Sequence, residues 1–294
     1  IVVIINFWFE VGECNESGYW SIYKSDKFGF NNPQHIWNEE NLDILLIGDS
    51  YVHGDCVSPD ENISNQIMLN SNKKVLNLGF RGNSPYLQLG TFLEYGINRR
   101  PKNIFWFFSE ENDYEEIQRD KNKKIITSYL NQDYSQNLIN YQSNIDDKLN
   151  KLHNEIVLYR NFKLQNLRLN LINKIVGISK VNNKEKKYRI NLDSEKIYSK
   201  ILGKAANISK NNNIKLTIVY LPGYIRYKGV DYSELKESVK NICNKLDINF
   251  IDIDKEVFSK KKDPLIYFPF KINSHYTKEG YKEISNVILN SLED

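Results

Sequence analysis

Residues 44–57 read ILLIGDSYVHGDCV, an apolar run followed at once by Gly-Asp-Ser and then by a glycine four residues after the serine. An unbroken apolar run bounded by turn residues is typical of a strand that is buried on both faces. The serine, Ser50, therefore stands at the carboxyl end of a predicted strand. Because Gly-Asp-Ser often occurs by chance, the rest of the chain has to show whether Ser50 has chemical partners.

Further short apolar runs predict strands, and segments able to form helices lie between them. The predicted strands cover residues 43–48, 74–78, 103–108, 214–221 and 248–253. The predicted helices cover residues 61–70, 85–98, 194–211, 232–245 and 278–292. Continuous apolar strands alternating with helices indicate a parallel sheet covered on both faces. The predicted fold class is α/β, a three-layer α/β/α sandwich with a five-stranded parallel sheet, whose functional sites form beyond the carboxyl ends of the strands.

The composition narrows the class of protein. The chain has 294 residues, 40% of them hydrophobic, and a net charge of +3 from 40 basic and 37 acidic residues. This balance gives no case for a nucleic-acid partner, which requires a clearly basic surface. Three scattered cysteines, Cys14, Cys56 and Cys243, allow at most one disulfide and leave the redox compartment open.

The N-terminal stretch IVVIINFWF is apolar but only about half as long as a membrane span. Two interpretations stay open: a truncated signal or membrane anchor, or a first buried strand. We treat residues 1–25 as a separate N-terminal segment and residues 26–294 as the main domain.

A long connection separates the third and fourth predicted strands, and residues 117–192 of it are interpreted as a helical insertion. Apolar residues recur there at helical spacing: Ile145, Leu149, Leu152, Ile156 and Tyr159. Packing of this insertion on the main domain is the simplest interpretation. A lid, or a surface for a partner or a membrane, is the alternative.

A serine hydroxyl needs a neighbouring base before it can act as a nucleophile, and histidine is the usual one. The four histidines are His35, His53, His153 and His275. His275 lies after the last predicted strand and before the final helix, so its loop is expected at the same sheet edge as Ser50. His53 lies three residues after Ser50, and its simplest interpretation is a bystander in the same turn.

Ester chemistry also needs hydrogen-bond donors aimed at the oxyanion that develops on the substrate. Gly82, in the loop after the second strand, offers a backbone N–H that can approach a substrate closely. Asn112, after the third strand, offers a side-chain amide. Each also has a plain structural explanation, since Gly82 could simply permit a turn and Asn112 could simply cap a helix.

The order of these residues along the chain resembles the SGNH hydrolases, also called the GDSL esterase/lipase superfamily. Four blocks carry the resemblance: GDSYVHG (48–54), NLGFRGNSP (77–85), ENDYEE (111–116) and NSHYTKEGY (273–281). The resemblance covers the chain from about Asp26 to the C-terminus, and it implies a flavodoxin-like fold. It also implies that Ser50 is the nucleophile and His275 the base, with an oxyanion hole formed by the N–H groups of Ser50 and Gly82 and the Asn112 side chain.

Two departures from the family pattern concern the site. Glu110 stands where the third block usually has glycine. Asn273 and Ile272 stand where the family usually has the aspartate that orients the histidine. An acid partner fixes the tautomer of the imidazole, so three alternatives stay open. Ser50 and His275 act as a pair without an acid, a carboxylate arrives from elsewhere, or the backbone carbonyl of a neighbouring residue orients the ring. Asp263 is our candidate for this acid, ahead of the alternatives Asp252 and Asp254.

The resemblance implies an ester hydrolase that works through an acyl-serine intermediate on a small-molecule or carbohydrate ester. Transfer of the acyl group to a cell-surface polysaccharide and glycan binding by a degenerate domain are the alternatives. Three further stretches, KFGFNNP (27–33), VYLPGYIRY (219–227) and DPLIYFPF (263–270), resemble a bacterial subgroup with an N-terminal membrane anchor, and this resemblance implies an extracytoplasmic location. No metal site and no cofactor is predicted, because the histidines and cysteines lack paired ligand spacing and the phosphate-binding glycine motifs are missing.

Overall fold

A computed structural model describes residues 10–12, 14–163 and 187–293 of the chain. The predicted apolar runs form a five-stranded parallel sheet in the order β4-β3-β5-β6-β7. Its strands are β3 (Ile44–Ile47), β4 (Val75–Asn77), β5 (Asn103–Ser109), β6 (Lys215–Leu221) and β7 (Asn249–Asp252). All five predicted strands are thus confirmed, and their order is that of flavodoxin-like sheets.

The apolar runs are continuous because each strand faces two cores. In β3, Ile44 and Leu46 join one buried cluster, whereas Leu45 and Ile47 join the other. Successive side chains of a strand point to opposite faces, so both faces have to be apolar. The predicted three-layer sandwich is therefore confirmed.

Helices cover the two faces of the sheet. The helices are α1 (Ser50–His53), α2 (Ile63–Asn70), α3 (Pro85–Thr91), α4 (Asp113–Asp120), α5 (Lys124–Thr127), α6 (Gln142–Lys163), α7 (Leu192–Asn211), α8 (Ser233–Lys245), α9 (Ile253–Glu256) and α10 (Lys278–Asn290). Buried residues of α3, α4, α7 and α8 pack on one side of the sheet, and those of α2, α9 and α10 on the other. The predicted helix over residues 85–98 ends earlier, because the chain passes into a π-helical turn at Phe92–Gly96.

Shorter 3₁₀ turns complete the connections, at Gln34–Asn38, Pro59–Glu61, Ile97–Arg99, Ser128–Leu130, Leu138–Tyr141, Tyr224–Lys228, Phe258–Lys260, Pro264–Tyr267 and Pro269–Lys271.

The predicted helical stripe lies in α6. Leu149 is buried and Ile145 packs against the core, whereas Leu152 is half exposed. The side chains of Ile156 and Tyr159, and residues 164–186, lie outside the described part of the structure.

The N-terminal residues contain an antiparallel pair that the sequence analysis did not predict, β1 (Glu10–Gly12) with β2 (Ile22–Lys24). Residues 1–9 lie outside the described residues, so the two interpretations of the apolar start stay predictions. Within the described ranges, no helix has the length and apolarity needed to cross a membrane.

Candidate active site

The turn after β3 places Ser50 at the carboxyl edge of the sheet. Asp49 caps α1, with its Oδ1 accepting a hydrogen bond from the backbone N–H of Tyr51 at 3.0 Å. Gly48 leaves no room for a side chain, since an added Cβ would lie 2.4 Å from Val52 Cγ2. Gly54, with φ of 87°, ends the helix four residues after the serine. The glycines of the GDSYVHG block are therefore required by the tightness of the turn.

Ser50 and His275 lie in hydrogen-bond contact. The distance from Ser50 Oγ to His275 Nε2 is 2.8 Å. His275 comes from the loop between the 3₁₀ turn Pro269–Lys271 and α10, which ends at the same edge of the sheet. This separation is the one a general base needs in order to accept the serine proton. The fold thus places two residues that are 225 positions apart in the chain at the distance expected of a nucleophile and its general base.

The carboxylate beside His275 is Glu16, and this corrects the choice of Asp263. Glu16 Oε2 lies 3.0 Å from His275 Nδ1, and the same oxygen accepts a hydrogen bond from the backbone N–H of His275 at 2.7 Å. Asp263 instead binds Lys271 Nζ at 2.6 Å and caps the turn that begins at Pro264. Its carboxylate is exposed and engaged there, away from the imidazole.

The alternative acids are engaged elsewhere too. Asp254 accepts hydrogen bonds from Tyr227 and Ser259, and Asp252 forms an ion pair with Lys236. Neither carboxylate is therefore available to Nδ1 of His275.

A disulfide fastens the Glu16 segment to the serine turn. Cys14 and Cys56 are bonded, with their Cα atoms 5.1 Å apart. Ser17 Oγ adds a hydrogen bond to the backbone carbonyl of Cys56 at 3.0 Å. Residues 14–17 are therefore attached to the chain just after the serine turn, and we refer to them as the strap. Cys14, Glu16 and Cys56 offer three possible metal ligands within 4.8 Å of one another, but the disulfide occupies both sulfurs.

The strap was missed because the sequence contains no local pattern that points to Glu16. The residue precedes Ser50, in the segment that we had separated from the main domain. The available signal was the pair of cysteines on either side of the serine turn, since a bond between Cys14 and Cys56 would carry the chain at Glu16 to the site.

Asn112 lies beside the nucleophile turn, as its place after β5 predicts. Its Nδ2 donates to Asp49 Oδ2 at 3.1 Å, so the amide is held by the residue that precedes Ser50. One N–H of the amide is used in this contact, and the second is left for a ligand. Burial raises the pKa of Asp49, and the hydrogen bonds from Asn112 and the Tyr51 N–H offset only part of that rise.

Gly82 occupies a backbone conformation that favours glycine. Its φ is 71°, and an added Cβ would meet nothing within 4 Å. The loop is held from two sides: Arg119 Nη2 donates to the Gly82 carbonyl at 2.8 Å, and Arg81 Nε donates to Asp55 Oδ2 at 2.6 Å. The two arginine contacts therefore hold the loop at the Gly82 carbonyl and at the Arg81 side chain, on either side of the Gly82 N–H.

Glu110, at the position where the family has glycine, has a structural role. Its buried carboxylate accepts hydrogen bonds from Arg226 Nη2 at 2.6 Å, Tyr220 Oη at 2.7 Å and the Gly223 N–H at 2.6 Å. These bonds tie the loop after β5, which carries Asn112, to the loop after β6.

The charges around His275 favour its protonated form. Burial of the ring lowers its pKa, but the hydrogen bond to Glu16 and the charges of Asp55, Glu16 and Asp49 outweigh burial, so the pKa lies above the ordinary value of 6.5. Burial raises the pKa of Glu16, whereas the hydrogen bonds and charge of His275 lower it, and the net pKa is below its ordinary value. An imidazolium that forms during a reaction is therefore stabilised in place.

No model of a known protein family matches this sequence, and no curated protein matches it either. Solved structures are similar. They include a member of the lipolytic protein G-D-S-L family from Veillonella parvula, at 13% identity and a TM-score of 0.48 over 84% of this chain and 96% of the other. A GDSL-like lipase from Bacteroides thetaiotaomicron is similar at 15% identity and a TM-score of 0.45, over 89% and 92%. An acetylxylan esterase from Geobacillus stearothermophilus is similar at 11% identity and a TM-score of 0.46, over 86% and 94%.

The chain covers nearly the whole length of each of these proteins. At these identities the similarity concerns the path of the chain and carries no information on substrate.

Proposed function

We propose that this chain is a serine hydrolase of the SGNH type, which cleaves an ester through an acyl-serine intermediate. The observation that carries the proposal is the 2.8 Å separation between Ser50 Oγ and His275 Nε2. It is supported by the position of Ser50, Gly82 and Asn112 after three adjacent strands of one parallel sheet.

In the first half of the reaction, His275 Nε2 accepts the proton of Ser50 as Oγ attacks the ester carbonyl. The carbonyl oxygen becomes an oxyanion that accepts hydrogen bonds from the N–H groups of Ser50 and Gly82 and from the Asn112 amide. As the intermediate collapses, the C–O bond to the alcohol breaks and His275 returns its proton to the departing alkoxide.

In the second half, a water molecule enters the place that the alcohol has left. His275 accepts a proton from this water as its oxygen attacks the acyl carbon of the acyl-serine. The Oγ–acyl bond then breaks, the proton returns to Ser50, and the carboxylic acid leaves.

The test is hydrolysis of p-nitrophenyl acetate by the wild type and by Ser50→Ala and His275→Ala. Each substitution should reduce kcat by several orders of magnitude, as removal of a nucleophile or base does in serine proteases. His35→Ala is the matched control, because His35 is exposed and lies in the 3₁₀ turn Gln34–Asn38, outside the described site. A fluorophosphonate should label the wild type and not Ser50→Ala. Unchanged turnover in Ser50→Ala or in His275→Ala would refute the proposal.

Acyl transfer to a sugar hydroxyl is the second candidate, and a cleft beside the strap favours it. The cleft, about 520 Å³ in volume, is lined by exposed aromatic rings of Tyr19 and Phe270 and by polar groups that include Glu61 and Lys278. Apolar faces combined with a few polar groups suit a bulky polar acceptor such as a sugar ring. Incubation with an acyl donor, with and without a polysaccharide, separates the two reactions: a new ester on the glycan supports transfer.

We further infer that the protein works in an oxidising, extracytoplasmic compartment, which the Cys14–Cys56 disulfide supports. Two of the three cysteines are bonded, and Cys243 is free and buried. Thiol titration of the denatured, non-reduced protein should therefore find one thiol per chain. Three thiols in protein isolated from its native compartment would contradict this inference.

A further inference from the structure

The carboxylate that contacts His275 lies 259 residues away from it in the chain. It reaches the site because Cys14, two residues before Glu16, is bonded to Cys56, six residues after Ser50. The cross-link just after the serine turn thus brings the carboxylate to a nucleophile and a base that the sheet already places at one edge.

We infer that Glu16 is the residue that positions His275 for the proposed reaction, and that the Cys14–Cys56 disulfide holds Glu16 in place, so that reduction of this disulfide suppresses turnover. The inference rests on the proposed function. It assigns the acid to the strap and makes the oxidised state of the protein a condition for full activity.

The contacts of Glu16 fix both the tautomer and the orientation of the ring. Its Oε2 faces Nδ1 at 3.0 Å, so Nδ1 carries the proton and Nε2 presents its lone pair to Ser50. The same oxygen binds the backbone N–H of His275 at 2.7 Å, which holds the loop as well as the ring. Without the carboxylate, the ring can take the tautomer whose Nε2–H cannot accept the serine proton.

The other groups around the ring cannot replace Glu16. The Cys56 sulfur lies 3.4 Å from Nδ1, but a disulfide sulfur is only a weak acceptor. Asp55 and Asp49 act on His275 through their charges, and the Tyr51 ring packs against it at 4.9 Å between centroids. Arg81 acts on Glu16 in turn, by lowering its pKa.

Among the described residues, the strap and the chain that follows it are held by the disulfide, by the two contacts of Glu16 with His275 and by side-chain hydrogen bonds such as that from Tyr19 Oη to Glu61 Oε2 at 2.7 Å. Ser17 Oγ bonds to the carbonyl of Cys56, and further along the segment Ser21 Oγ bonds to the carbonyl of Val57. Reduction by a dithiol such as dithiothreitol converts the Cys14–Cys56 bond to two thiols, while the reagent becomes a cyclic disulfide. The cross-link that anchors Cys14, two residues before Glu16, is then lost, so the carboxylate of Glu16 can move away from His275 Nδ1.

The first experiment compares Glu16→Gln with Asp263→Asn, which removes the exposed carboxylate in the loop before His275. Glu16→Gln should lower kcat at least tenfold, and by up to about 10⁴-fold as for the equivalent change in a serine protease. It should also move the rise of kcat/KM to lower pH, because the pKa of His275 loses the contribution of Glu16. Asp263→Asn should leave both quantities unchanged.

The second experiment measures the effect of dithiothreitol on the wild type and on Glu16→Gln. Reduction should lower kcat of the wild type and shift its pH profile in the same direction as Glu16→Gln. It should have little further effect on kcat of Glu16→Gln, because the positioning contact is already lost. If the disulfide merely stabilises the fold, its reduction should lower the melting temperature and reduce activity equally in both proteins. The double variant Cys14→Ser/Cys56→Ser, checked by circular dichroism, should behave as the reduced wild type does.

The outcomes separate this inference from the proposed function. Wild-type kcat and pH profile in Glu16→Gln, together with an inactive Ser50→Ala, would overturn the role of Glu16 and leave the hydrolase standing. Equal losses on reduction of wild type and Glu16→Gln would overturn the link between disulfide and carboxylate. Activity that survives Ser50→Ala would instead overturn the proposed function itself. Should the double cysteine variant not fold, oxidised Glu16→Gln still decides the role of the carboxylate, because that variant keeps the disulfide.

Discussion

Replacement of Gly82 by alanine should slow the proposed reaction only moderately. The loss of rate is limited by the free-energy cost of holding an alanine in the backbone conformation of Gly82. With φ of 71°, Gly82 lies in the left-handed region, where a side chain costs about 1–2 kcal/mol. The added Cβ would meet nothing within 4 Å, so the cost is conformational and not steric. The loop can avoid it by rotating Gly82 towards negative φ, which moves the N–H out of its present orientation.

Two routes to the transition state then compete in the variant. If the loop stays rotated, the oxyanion loses one donor, which costs about 2.7–4 kcal/mol. If the loop returns to its original conformation for the reaction, the cost is the strain of about 1–2 kcal/mol. Because the cheaper route sets the rate, kcat/KM should fall by a factor of about 5–30. That is less than the factor of about 10²–10³ expected for a deleted donor.

Gly229→Ala is the matched control for this experiment. Gly229 has φ of 97°, and an added Cβ would again meet nothing within 4 Å, but it ends the 3₁₀ turn Tyr224–Lys228. Its replacement should lower the free energy of unfolding by about 1–2 kcal/mol and leave kcat/KM unchanged. Urea unfolding and hydrolysis of p-nitrophenyl acetate measure the two quantities. The reasoning fails if Gly82→Ala loses less stability than the control and keeps its full kcat/KM, since the loop would then have rotated without affecting the transition state.

Four further predictions concern neighbouring groups. Asn112→Ala should lower kcat by about 10²–10³ with little change in KM, because the amide is a donor to the oxyanion; an unchanged kcat would remove it from that role. In a pH series, kcat/KM should rise through an apparent pKa above 6.5, since His275 must be neutral to act and its pKa is raised. The stability that its ion pair with Glu16 contributes should be complete between about pH 4.5 and 6.5, where both groups are charged, and be lost as the pH rises through that higher pKa. A stability that stays constant as the pH rises through this pKa would contradict the pairing. Glu110→Gln should destabilise the protein by about 1–3 kcal/mol in urea unfolding, because it removes the closer of the two carboxylates paired with Arg226, whose side chain is only 14% exposed, and leaves Asp254 at 3.8 Å; a loss below 1 kcal/mol would argue against this.

The five strands and the order of the sheet could be predicted because their cause is local. Each strand is buried on two faces, so its whole sequence is apolar, and the segments between them are long enough for crossover helices. Ser50 and His275 were found for a related reason. Residues that follow parallel strands, or precede the last helix, come to one edge of the sheet irrespective of their separation in the chain.

The β1–β2 pair and Glu16 could not be predicted in the same way. Three-residue strands leave almost no periodic signal, and a carboxylate that reaches a site through a cross-link has no required spacing from the residue it contacts. Asp263 was preferred because it lies in the same loop as His275, which is the arrangement that short-range reasoning favours. The structure shows Lys271 as its partner instead.

The His275 loop lacks an aspartate at positions 272 and 273, and this is understandable because the carboxylate that contacts His275 comes from a distant segment. Where base and acid share one loop, the residues between them must hold a turn that presents the carboxylate to the ring. Here Glu16 supplies the oxygen from outside and binds the backbone N–H of His275 as well as Nδ1. The loop is thereby relieved of carrying an acid, so Asn273 and the half-exposed Ile272 can occupy the positions where the resemblance leads one to expect aspartate. The geometry of the base then depends on the strap, and the strap depends on a bond that a reductant can open.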